Sequence, residues 1–208
     1  MINTKKAARK LLALTILLLV TSLSVAQSLS ETHHYAIEVA GARIGTMTAS
    51  RESRANNEVM FIQISDVQVN FLVYKLKVYY KVVSLMKNGQ LLRSTVEAHT
   101  NKGDFSSLTE WTGTHYDIRA DQYKYSRRAT ETRKIDFTVS MLYFSEPTSH
   151  QRAYAEYFGD YFTLTTTPRS SYRAQLADRE DEYVYEQGRL VKVIKKNALK
   201  NFVIRLLD

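Results

Sequence analysis

The residue types that carry chemistry are thinly spread along this chain. Five histidines stand at positions 33, 34, 99, 115 and 150. His33 and His34 are adjacent, and adjacent side chains on a strand point to opposite faces, so the two do not chelate one ion together. His99 falls on the polar face of an amphipathic segment. No serine sits in a strained Gly-x-Ser-x-Gly turn, and no glycine-rich loop is spaced to cradle a phosphate. The carboxylates of Asp178-Arg-Glu-Asp-Glu182 are as close in sequence as those of a calcium loop. They lack its ligand order, however, and lie where a hairpin turn is expected. These patterns give no catalytic residue, no metal ligand and no cofactor site.

The one unusual cluster is aromatic. Tyr154, Tyr157, Phe158, Tyr161 and Phe162 fall within nine residues. A tyrosine offers an apolar body with a polar tip, which suits the mouth of a ligand cavity or a membrane surface. The same rings serve equally well as ordinary packing over the end of a sheet. Both readings stay open at this level.

These residues have to be positioned by strands. The segment 76–86 alternates, with Leu76, Val78, Tyr80, Val82 and Met86 on one face and Lys77 and Lys81 on the other. In the return arm, 90–98, Leu92, Val96 and Ala98 oppose Arg93, Thr95 and Glu97. Both apolar sets fall on even numbers, so they share a face only if an odd number of residues separates the arms. A three-residue loop, Lys87-Asn88-Gly89 with Gly89 in the left-handed region, meets that condition, whereas a two-residue Asn-Gly turn does not. Tyr80 and Val82 then point inward and join the aromatic run as candidate ligand-binding residues.

Strand patterns recur on both sides of this hairpin. The first strand, with Tyr35, Ile37 and Val39 on one face, turns at Gly41 into a return strand. Gly45 inside that return predicts a bulge or a close backbone approach. Residues 59–69 carry apolar side chains on both faces, which requires cover on each side or a cavity on one of them. Residues 127–134 read as a loop or weak edge, and five further strands follow residue 160. In between, 136–147 stays open, since alternation favours a strand while Asp136 as N-cap and a stop before Pro147 fit a two-turn helix; 148–158 fits a second short helix ending at Gly159. With roughly ten or more strands at the spacing of a barrel or sandwich, the fold class is all-β and mainly antiparallel. We expect a curved sheet or incomplete β-barrel with one or two short helices, in a single domain.

The stretches Leu142-Tyr-Phe-Ser-Glu-Pro147, Glu156-Tyr-Phe-Gly159, Tyr172-Arg-Ala-Gln-Leu176 and Tyr183-Val-Tyr-Glu-Gln-Gly188 resemble a family of secreted bacterial proteins known only as a domain of unknown function. The opening hairpin, Tyr35-Ala-Ile-Glu-Val-Ala-Gly-Ala-Arg-Ile-Gly45, is similar to that family's first hairpin. The resemblance implies a curved antiparallel sheet and favours a helix over a strand at 137–144. Its motifs are turn glycines and packing aromatics, so it brings no catalytic residues.

Composition narrows the setting. Lys5, Lys6, Arg9 and Lys10 precede an apolar run at 11–20 and a small-residue site, Ser24-Val25-Ala26, the pattern of a secretory signal peptide over residues 1–26. The apolar run is short for a membrane anchor, so the mature form, 27–208, is read as having no transmembrane span. The sequence holds no cysteine, which excludes disulfides and a lipoprotein anchor. Of 29 Lys+Arg, 25 remain after the leader against 21 acids, a balance of +4 that gives little reason to expect nucleic acid. The expectation is an exported protein of the bacterial envelope, periplasmic or extracellular, either soluble or peripheral to a membrane. Its leading function is non-catalytic binding of an apolar small molecule such as a lipid or acyl chain. The alternative is an interaction or scaffold module that meets an envelope protein partner.

Overall fold

A computed structural model of the chain describes residues 29–71, 74–168, 170–196 and 201–207. The leader at 1–26, most of the loop at 195–201 and the Leu76 side chain lie outside the described residues.

Period-two patterning gives fourteen strands: β1 (Ser30–Val39), β2 (Ala42–Arg54), β3 (Glu58–Phe71), β4 (Tyr74–Lys87), β5 (Gln90–Thr100), β6 (Gly103–Trp111), β7 (Tyr116–Gln122), β8 (Tyr125–Glu131), β9 (Arg152–Ala155), β10 (Asp160–Thr167), β11 (Ser171–Leu176), β12 (Arg179–Glu186), β13 (Arg189–Lys195) and β14 (Phe202–Leu206). They form one antiparallel sheet in the order β8-β7-β6-β5-β4-β3-β2-β1-β14-β13-β12-β11-β10-β9. Two meanders, β1–β8 and β9–β14, are joined where β1 pairs with β14. The sheet is curved but not closed into a barrel, since β8 and β9 are both edges. Among the described residues, no helix is long and apolar enough to cross a membrane.

Residues 132–151 carry the chain from the β8 edge to the β9 edge across the concave face. Ile135, Phe137, Leu142 and Tyr143 on this crossing are buried. They pack against side chains of both meanders, among them Tyr35, Phe61, Leu91 and Tyr185. A buried crossing needs partners for its backbone, and tyrosines and strand ends provide them. The Leu91 amide donates to the Ile135 carbonyl (2.8 Å) and the Tyr154 amide to that of Phe137 (2.9 Å). The Tyr185 hydroxyl donates to the Leu142 carbonyl (2.7 Å), and the Ile135 amide donates to the Tyr116 hydroxyl (3.3 Å).

Of the two expected helices, the first is present in shortened form and the second is corrected. Over 137–144 the helix is a single 3₁₀ turn, Val139–Tyr143, that starts after Thr138 without a side-chain cap. Phe137 and Thr138 stay extended because they bind β9: Thr138 bridges Tyr154 in parallel. Over 148–158 there is no helix. After a turn the chain enters β9, in which Ala153, Tyr154 and Ala155 are all buried and pair with β10. Three consecutive buried residues fit a strand covered on both faces.

The central hairpin places its faces as expected by a different route. Asn88 and Gly89, both with positive φ (50° and 68°), form a two-residue turn between Lys87 and Gln90. A bulge then shifts the register between Leu85 and Met86, leaving Leu92 as the extra residue. Val82 therefore faces Val96, and Leu91 takes the buried position expected for Leu92. Gly45 shows both of its expected features. It lies beside a register shift at Ile37/Glu38, and a Cβ there would sit 2.3 Å from the Asp66 carbonyl oxygen.

The inward position of Val82, 2% exposed between Gln63 and Val96, gives a direct check. Val82→Asp buries an unpaired carboxylate and is expected to cost several kcal/mol, on the order of 4 or more. Lys81→Gln on the outer face is expected to change stability by less than about 0.5 kcal/mol. Urea unfolding of the two variants measures the contrast, and equal effects would mean that the faces are reversed.

Candidate functional site

The register of the first meander stacks its inward side chains in rows. The outermost row runs Gly45, Val67, Val78, Thr100, Gly103, and the next runs Met47, Ser65, Tyr80, Ala98, Phe105. The third runs Ala49, Gln63, Val82, Val96, Ser107. In the second row the small side chains of Ser65 and Ala98 alternate with large ones and leave space. The whole third row is buried and forms a floor. Opposite, Ile204 and Phe202 of β14 and Lys195 of β13 complete the wall.

The result is a cavity of about 590 Å³ that opens at the end carrying the β5–β6 and β7–β8 turns. Its lining is mainly apolar and aromatic, with Tyr80, Tyr143, Tyr157, Phe158 and Phe162 facing it. Tyr123, 49% exposed, marks the mouth. The opposite end of the sheet is filled by the crossing segment.

The turn at 156–159 forms one side of this cavity and is held to the other meander by side chains. The Ser107 hydroxyl donates to the Tyr157 carbonyl (2.8 Å), the Tyr125 hydroxyl to that of Phe158 (3.0 Å) and Arg127 Nε to that of Gly159 (3.1 Å). Arg127 also pairs with Asp160 at 3.2 Å. Gly159 has a φ of +63°, and a Cβ there would lie 2.6 Å from Ile118 Cγ2. Both the backbone angle and the close approach demand glycine. Tyr80 and Tyr157 meet across the cavity with ring centroids 6.0 Å apart, and Arg179 stacks on the outside of Phe158 at 4.6 Å.

Of the seven residues singled out in sequence, the structure brings Tyr80, Tyr157, Phe158 and Phe162 together on the lining. The other three lie off the lining. Val82 lies in the buried floor row beneath the cavity. Tyr154 is buried in a cluster with Phe61, Leu91 and Tyr116, where its hydroxyl bonds that of Thr109 at 2.6 Å. Tyr161 points away from Phe162 because neighbours on a strand alternate, and it meets Tyr154 edge-on and lies under Arg152. Sequence reading missed Gln63, Lys195 and Phe202. A glutamine interrupting the apolar face of Val59, Phe61 and Val67 was the available signal.

The remaining candidates for chemistry are accounted for by pairing. His99 bonds Asp104 at 2.8 Å on the surface, and the His33 ring lies 3.2 Å from the Tyr143 carbonyl oxygen. Asp181 faces inward and pairs with Lys195 at 2.7 Å, while Glu180 faces outward to Arg173.

Burial sets the acidity of the buried phenols. It pushes those of Tyr80, Tyr143 and Tyr183 well up, and the field of Glu156 adds to it at Tyr80 and that of Asp181 at Tyr183. Burial raises Tyr161 to about 12.

The chain belongs to a family defined by a domain of unknown function, DUF6134, whose model matches residues 35–207. No curated protein and no solved structure matches it. The matched span covers all fourteen strands apart from the first residues of β1.

A phenol whose pKa rises on folding holds its proton more tightly in the native state than in the unfolded chain. The stability it contributes is complete below the unfolded value of about 10 and is lost as pH rises above it. Alkaline titration followed by tyrosinate absorbance and circular dichroism is expected to show a late, steep ionisation step that coincides with unfolding. A single reversible step near pH ~10 for all tyrosines would contradict the burial of these rings.

Proposed function

We propose that this is a non-catalytic, exported protein of the bacterial envelope that accommodates an apolar small molecule, a lipid or acyl chain, in the open end of its curved sheet. The observation that carries the reading is the cavity of about 590 Å³. Protein interiors pack to crystal-like density with few voids larger than a water molecule. This space matches about twenty waters at the ~30 Å³ each occupies in the liquid, and its volume falls within the range of small-molecule sites. Its lining pairs aromatic walls with a few polar groups, among them Gln63, Ser65 and Lys195, a set that orients a ligand. Export and an envelope location rest on the charged, apolar and small-residue order of residues 1–26.

The test is a neutral dye, phenylnaphthylamine, whose emission rises in apolar surroundings. The native protein is expected to bind one molecule of dye. Ala98→Trp puts an indole into the cavity from the second row and is expected to weaken that binding at least about tenfold, with the melting temperature nearly unchanged. A tryptophan forced into a site without space would instead destabilise the fold by about 1–3 kcal/mol. A protein that binds no dye, or binds it equally well after Ala98→Trp, would leave the lead to a scaffold module that meets a protein partner.

A further inference from the structure

We infer that the cavity, read as a site for an apolar ligand, takes an uncharged molecule with a carbonyl oxygen at its inner end, received by Gln63 Nε2. Gln63 is 5% exposed, and its Nε2 is buried without a hydrogen-bond partner. A buried amide N–H left unpaired is costly, and native proteins pair nearly all such groups. Gln63 is also the one member of the floor row that lines the cavity; its row neighbours Ala49, Val82 and Val96 are packed away beneath it. The unpaired donor therefore stands at the closed end of an apolar space, where a ligand's inner tip would lie.

The charge of that tip follows from Lys195, the cation on the lining. Register places it beside Phe202 and Asp181, toward the mouth and away from the floor. Its ammonium is already bound to the Asp181 carboxylate at 2.7 Å. A free carboxylate inserted to the floor would lose its hydration with no cation to replace it. An ester, ketone or amide carbonyl needs one donor, and Gln63 supplies one. The tail then runs outward past Tyr80, Phe105 and Phe162 to the mouth at Tyr123.

Displacement of phenylnaphthylamine at neutral pH by methyl decanoate, undecane and decanoate tests this. Methyl decanoate is expected to compete about tenfold better than undecane, the factor that one hydrogen bond of ordinary strength gives, and better than decanoate. Gln63→Leu is expected to bring the ester down to the level of the alkane. Because it removes an unpaired polar group, it should leave the melting temperature equal or raise it. Equal competition by ester and alkane in the unaltered protein, an ester affinity that Gln63→Leu does not change, or stronger competition by decanoate would each overturn the role of Gln63. In all three cases the cavity itself would still bind apolar molecules. If neither ester nor alkane displaces dye, the reading of the cavity as an apolar site fails instead.

Discussion

Three consecutive carbonyls, those of Tyr157, Phe158 and Gly159, accept hydrogen bonds from side chains of the opposite meander. No ladder joins β8 to β9, so these bonds and the Arg127–Asp160 pair do what a closing strand would do in a barrel. The β9 edge is covered in part by the parallel bridge of Thr138 to Tyr154, which limits unpaired backbone there. The arrangement depends on Gly159, whose positive φ and contact with Ile118 admit no side chain. Because the turn supplies Tyr157 and Phe158 to the cavity lining, the cavity exists only while the turn stays docked.

The crossing segment decides which end of the sheet is open. Its buried residues, from Ile135 to Tyr143, enter at the end of the β4–β5 turn, where Leu91 binds the Ile135 carbonyl. There the inward side chains of Phe61, Met86 and Leu91 are buried against Ile135. Toward the other end the crossing has passed on to β9, and the second row alternates large side chains with Ser65 and Ala98. The space left by those small residues lies above Gln63. Packing and the candidate site are thus set by one chain path.

Strand faces were legible because alternation is a local property. The inward positions of Val82, Val96 and Ala98 follow from parity alone, and they are buried. The loop that achieves this parity was not legible, since a two-residue turn plus a bulge at Leu92 gives the same faces as a three-residue loop. The helix expected at 148–158 failed for a non-local reason. Its residues gain more by pairing with β10 and the extended Phe137–Thr138 than by local helical bonds. The aromatic run was visible as a cluster, but its division between cavity and core depends on where β10 begins, which sends Tyr161 and Phe162 to opposite faces. Gln63 acquires meaning only from its neighbours across three strands.

The central claim, that the open end of the sheet holds an apolar molecule, is tested most directly by native mass spectrometry. The protein would be purified from its producing cells without detergent or denaturant. The account predicts a species heavier than the polypeptide by one small apolar molecule, extractable into organic solvent, and its disappearance in the cavity-filled protein. A bare polypeptide mass that persists after incubation with methyl decanoate would contradict it.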